Sequence, residues 1–247
     1  MRISRLEYGN LSAEPTPLRM LWIRGAVAAL VVVPILTLIG WTFQIGVLKS
    51  VLPGLVPMNP ITAVCFIMTS GAIWLLRDPT APGRQARRWV DLLTAGVVLV
   101  ALARLAGYLV RWDMGVDCLL FYNRLQQEVP QNRMAPNTAM AFLLTGASLY
   151  FVDRRLGRFQ PSQYLAAVAG LISLTTLSGY ALREFDGARL GSFIPMALHS
   201  GVLFGIATIG LLVLRTEDPI TAVFLGSGNS GRLARNRCRP SARSLCP

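Results

Sequence analysis

Met134-Ala135-Pro136-Asn137-Thr138-Ala139 decides how this chain is read, because it does not stand alone. Met58-Asn59-Pro60-Ile61-Thr62-Ala63 repeats it closely, and Met196-Ala197-Leu198-His199-Ser200-Gly201 repeats it more loosely. Eight residues after each Met comes a phenylalanine: Phe66, Phe142 and Phe204. Each copy opens an apolar stretch. The apolar stretch before each copy ends in glycine and an aromatic: Gly40-Trp41, Gly107-Tyr108 and Gly179-Tyr180. The unit is therefore a helical hairpin, present three times in one orientation. Inverted-repeat transporters are built differently, from halves of opposite topology. Pro60 and Pro136 lose nothing in a first helical turn, where their missing N–H would be unpaired. Thr62, Thr138 and Ser200 place a hydroxyl in the same turn, so helix-start chemistry suffices to explain the motif.

Outward from the repeats, six stretches are long enough to cross a bilayer, which takes about 20 mostly apolar residues. They are residues 25–48, 58–76, 89–110, 134–152, 163–182 and 194–214. The first is too long for the apolar core of a signal peptide and has no small-residue cleavage site after it. Pro34 within it is tolerable in a membrane helix, as a kink. Composition agrees. Of 247 residues, 53% are hydrophobic and 15% charged, where a soluble domain carries roughly 25% charged residues. Mean hydropathy is +0.50. A soluble enzyme, a disulfide-stapled secreted domain and a disordered regulator are excluded.

The formal charge of +12 admits a nucleic-acid partner until the arginines are placed. Seventeen of the 24 basic residues flank the spans on one side, six lie on the other, and Arg104 falls inside a span. The basic side of a membrane protein is cytoplasmic. The excess is thus a topology signal, and nucleic acid is not an expected partner. The expected fold class is an all-α, polytopic membrane protein: six transmembrane helices as three repeated hairpins. Residues 1–20 form a cytoplasmic segment, 21–214 the membrane domain, and 215–247 a basic, disordered cytoplasmic tail. Cys65, Cys118, Cys238 and Cys246 have neither disulfide nor zinc spacing.

Aligning the copies on the Gly-aromatic pair exposes a polar stripe. Three residues before the glycine stand Thr37, Arg104 and Thr176; four after it stand Gln44, Arg111 and Arg183. Offsets seven apart share one helix face. Arg104 either faces the bundle interior or snorkels to the outer headgroups. Arg104, Tyr108, Arg111, Asn137, Tyr180, Arg183 and His199 are the candidate residues of an outward-opening polar site. Trp112, Asp113, Asp117, Glu184 and Asp186 lie at the same level, where an interfacial belt of aromatics and loop ion pairs would need no ligand. Met58, Met134 and Met196 raise the question of Cu(I), but the repeat itself accounts for them. No nucleophile motif, phosphate loop or metal spacing occurs, so neither catalysis nor a cofactor is expected of this chain.

The segments GYLVRWDMGVDCLLF (107–121), NRMAPNTAMAFLLTGASLYF (132–151), IPMALHSGVLFGIATIGLLVLR (194–215) and GRLAR (231–235) carry a resemblance. They are similar to the N-terminal multi-pass sensory region of bacterial sensor histidine kinases, hybrid or PAS-containing, and of related proteins with diguanylate cyclase outputs. The resemblance spans residues 21–235 and implies a signal-input role in a two-component system at the bacterial inner membrane. Both termini would be cytoplasmic. It further implies a small-molecule or membrane-state stimulus besides the lipid bilayer, and a homodimer where a kinase is attached. In that family the Gly-Arg-x-Ala-Arg element leads into two more spans and then the output modules. Here Gly231–Arg235 leads into an arginine-, serine- and proline-rich end, so a truncation or frameshift just after Arg235 is expected. The rival expectations are a small transporter or channel with an arginine-lined path, and a non-sensing membrane anchor.

Overall fold

The computed structural model describes residues 17–50, 54–78, 83–111, 115–127, 132–154, 160–182 and 196–214. Among these residues all regular structure is helical. Six longer helices, α1 (Pro17–Phe43), α3 (Pro60–Leu75), α4 (Arg84–Val110), α6 (Pro136–Phe151), α7 (Pro161–Ala181) and α8 (Leu198–Leu214), follow the apolar stretches. Two short ones, α2 (Gly46–Ser50) and α5 (Tyr122–Gln127), lie between them.

Local chemistry fixes the ends. Pro60, Pro136 and Pro161 each stand in a first turn, and the Asn59 side chain caps α3 by accepting from the Ile61 N–H at 2.9 Å. At the opposite ends, Gln44 and Arg111 adopt left-handed backbone (φ 58° and 53°) and close α1 and α4. The Ile45 N–H then reaches the Gly40 carbonyl at 2.9 Å, and the Arg111 N–H reaches Gly107. The first apolar stretch therefore does not run on as one helix to Leu48. It stops at Phe43, and α2 folds back against its end. A Cβ on Gly40 would lie 2.7 Å from the Leu48 Cβ, so glycine is what admits this return.

The helices pack in a closed circuit, α1–α3–α4–α6–α7–α8 and back to α1, while α3, α6 and α8 also touch one another. Those three form the centre. Phe66, Phe142 and Phe204 are fully buried there and meet in a triangle, with ring centroids 4.8, 4.8 and 4.7 Å apart. The tilted and edge-on angles suit the ring quadrupoles. Small residues bring the helices close, as expected of helices packed in lipid. A Cβ on Gly146 of α6 would lie 2.6 Å from Val98 of α4, and one on Gly170 of α7 would lie 2.9 Å from Thr208 of α8.

Length separates the two sets of helices. α1, α4 and α7 are long and apolar enough to cross a membrane, and they carry exposed apolar side chains such as Ile35, Leu99, Leu109, Leu171 and Leu174. Exposed apolar surface on this scale marks contact with lipid or protein. α3, α6 and α8 have 16, 16 and 17 residues, about 24–26 Å of helix against a hydrocarbon core of about 30 Å. They are shorter than their apolar stretches because each begins only at or after the proline position, two residues past the repeated methionine. One end of the bundle gathers arginines: Arg87 pairs with Asp91 at 3.3 Å and Asp153 at 3.2 Å. Arg154 reaches Asp91 at 3.4 Å and stacks 3.6 Å from the Tyr150 ring centroid. The other end gathers the repeated methionines.

Candidate functional site

At the methionine end each Gly-aromatic pair meets a repeated Met by one and the same bond. The Trp41 Nε1 donates to the Met58 carbonyl at 2.8 Å, the Tyr108 hydroxyl to Met134 at 3.0 Å, and the Tyr180 hydroxyl to Met196 at 2.8 Å. These carbonyls precede helix first turns and need donors that the helices themselves do not supply. The aromatic residues thus tie the end of α1, α4 or α7 to the start of α3, α6 or α8. All three methionines are buried, and the Met196 sulfur lies 3.7 Å from the Thr176 hydroxyl oxygen.

Arg104 faces inward. It is 5% exposed, its Nε donates to the Met134 carbonyl at 3.1 Å, and its Nη2 donates to the Tyr108 hydroxyl at 3.0 Å. The guanidinium also lies 4.4 Å from the Tyr108 ring centroid. Thr37 and Thr176, at the matching positions, are likewise buried but return their hydroxyls to Val33 and Ile172 of their own helices. Arg111 does not continue the Arg104 face. Helix α4 stops one residue before it, and its left-handed cap turns the side chain out to an exposed position. Arg183, Glu184 and Asp186 lie outside the described residues, as do Trp112, Asp113 and the basic tail.

Asn137 accepts from the Thr138 N–H at 3.0 Å, an ordinary helix-start role. His199 holds the matching position in α8 and behaves differently. It is 6% exposed, and neither ring nitrogen has a hydrogen-bond partner among the described residues. The structure therefore joins Arg104 and Tyr108 directly and ties Tyr180 to the Met196 carbonyl, three residues before His199. Arg111 stands apart.

Four further residues belong to this end. Asn132 donates to the Pro57 carbonyl at 2.7 Å, and Asn59 donates to the Asn132 carbonyl at 3.4 Å, crossing from one copy to the next. Lys49 donates to Gln44 at 3.0 Å above the Trp41 ring. Arg124 of α5 donates to the carbonyls of Trp41 and Thr42, satisfying acceptors that a helix end leaves open. Asn132 stands two residues before Met134, where the other copies have Val56 and Ile194, so the repeat gave no signal for it. Chemically, the end offers a guanidinium, phenol hydroxyls, amides and an imidazole, which are groups for holding a polar ligand or a packing state. Among the described residues no three His, Cys, Asp or Glu side chains come together as a metal site would need. Comparison with protein-family models, curated proteins and solved structures gives no match for this chain.

Proposed function

We propose that the chain is a membrane-embedded signal-input domain of a bacterial sensor protein of the histidine-kinase type. It crosses the inner membrane six times as three copies of one hairpin, with the arginine end in the cytoplasm and the methionine end outside. The observation that carries this is Arg104: a cation held inside the bundle by a backbone carbonyl and a tyrosine of the same cross-copy link. Charge inside a span is costly and marks function by default. A polar or membrane-borne stimulus that competes for the Met134 carbonyl or the Tyr108 hydroxyl would alter how α4 seats on α6. Sensing requires two packings whose balance the stimulus biases, and closely packed helices held by few hydrogen bonds can provide them.

Six crossings are supported by the buried centre. The shorter α3, α6 and α8 are shielded by α1, α4 and α7, so they need less apolar length of their own. At the arginine end, Arg19 donates to the Val213 and Leu214 carbonyls at 3.2 and 2.6 Å. The start of α1 thereby grips the end of α8, where the chain leaves toward any output. A kinase output fused after Arg235 tests the proposal. Arg104→Leu and Tyr180→Phe change autophosphorylation severalfold if the chain is an input, and leave it unchanged if it is an anchor. Anion flux through liposomes that Arg104→Leu abolishes would replace the sensor with a transporter.

A further inference from the structure

Helix-start chemistry leaves the hydroxyls of Thr62, Thr138 and Ser200 unused. In α3 and α6 asparagines take that part: Asn59 accepts from the Ile61 N–H, and Asn137 from the Thr138 N–H. The three hydroxyl residues are 2%, 3% and 1% exposed, and their side chains make no hydrogen bond among the described residues. Buried hydroxyls without partners are costly. Their direction follows from the phenylalanines. Each stands four residues before Phe66, Phe142 or Phe204, on the same helix face and about 6 Å nearer the methionine end. Those rings meet at the centre of the bundle, 4.7 to 4.8 Å apart. The hydroxyls therefore ring the same axis one turn higher, where smaller side chains leave a polar space. The unpartnered hydroxyl of Thr94 is sealed off inside the bundle; those on the axis are not, and still border a space that a water-sized body can touch.

The electrostatics of that space have one sign. α3, α6 and α8, of 16, 16 and 17 residues, all begin at this level. Three helix N-termini thus converge on it, each with unpaired N–H groups and the positive end of its dipole. The nearby carbonyls of Met58, Met134 and Met196 already accept from Trp41, Tyr108 and Tyr180. Arg104, bonded to the Met134 carbonyl, adds a full positive charge at the start of α6. A cation would meet three dipoles of the wrong sign, whereas an anion finds the arrangement that helix N-termini offer. We infer that this space holds one small monovalent anion, of the halide or nitrate class, to which the hydroxyls of Thr62, Thr138 and Ser200 donate. The anion is held and not passed on, because the phenylalanine triangle closes the axis toward the arginine end. Bound there, it joins all three copies of the hairpin at one point. The inference goes beyond the proposed input role and is independent of it.

The full chain in detergent is unfolded by heat while sodium chloride replaces sodium gluconate at constant ionic strength. A ligand of the folded state raises the midpoint. Wild type shows a saturable rise with chloride, and bromide and nitrate act likewise. Thr62→Val, Thr138→Val and Ser200→Ala each weaken the apparent affinity about tenfold, the loss of one hydrogen bond to a charged group. Thr69→Val, whose lost hydroxyl bonds to the Cys65 carbonyl instead, responds as wild type does. The rise is read within each variant, so a change in that variant's own stability does not enter. Exchanging sodium for choline at fixed chloride changes nothing. Chloride NMR gives a reading that needs no variant: folded wild type broadens the line, and excess bromide reverses the broadening. An equal rise in wild type and all three hydroxyl variants overturns the proposal, as does a response that follows the cation. No difference between chloride and gluconate, or no broadening, leaves the hydroxyls to water alone and overturns it too.

Discussion

Phe142→Ala removes one corner of the central triangle, and its cost follows from the geometry. Phe142 meets Phe204 at 4.7 Å and Phe66 at 4.8 Å, so two ring pairs worth about 0.5–1.5 kcal/mol each are lost. A cavity remains, because the surrounding helices are tied at their methionine ends and relax only in part. In water-soluble cores a Phe→Ala change costs about 3–5 kcal/mol. Part of that is transfer from water, which is weak between protein and lipid tails. About 2–4 kcal/mol is expected, and Phe66→Ala and Phe204→Ala should cost the same within about 1 kcal/mol. The assay is reversible unfolding in mixed micelles, with the exposed Leu171→Ala as control at about 0.5 kcal/mol or less. Because each pair shares a contact, double substitutions should be non-additive by about 0.5–1.5 kcal/mol. Single costs under about 1 kcal/mol, or doubles that simply add, would refute a centre in which the three copies share one packing unit.

The links from aromatic side chain to methionine carbonyl give a graded expectation. Tyr180→Phe leaves the Met196 carbonyl without its donor and costs about 0.6–1.5 kcal/mol. Tyr108→Phe costs at least as much by the same unfolding assay: Arg104 still donates to the Met134 carbonyl, but its buried Nη2 loses the hydroxyl that accepts from it. Gly146→Ala drives a methyl into Val98 and destabilises by about 1–3 kcal/mol; Val98→Ala should restore much of the loss. Topology is checked with an impermeant thiol reagent on intact cells. Cysteines replacing Gln44 and Arg111 react from outside, whereas those replacing Arg84 and Arg154 react only after permeabilisation.

The repeat period legible in the sequence carries through to contacts at matched positions. Phe66, Phe142 and Phe204 could be paired on spacing alone, but their meeting at one point depends on how three helices converge. Trp41, Tyr108 and Tyr180 are readable as a set from the Gly-aromatic repeat; their bonds to the methionine carbonyls join two motifs that look separate along the chain. Arg104 could not be placed because snorkelling and burial need the same residue at the same depth, and only the neighbouring helix decides. The face drawn through Arg104 and Arg111 assumes that α4 continues, and a left-handed cap at a non-glycine residue leaves no mark in the sequence. Arg124 and Asn132 act on carbonyls 75–83 residues away, which periodicity does not register.

The central claim is that a change at the methionine end reaches the other end of α8. In a chain with its native cysteines replaced by serine, spin labels at Leu92→Cys on α4 and Val213→Cys on α8 report the packing at the arginine end. Distances are measured in bilayers with and without Arg104→Leu. The account predicts a shift of about 1–2 Å, or a redistribution between two populations. Superimposable distributions, with unfolding confirming that Arg104→Leu stays folded, would contradict it.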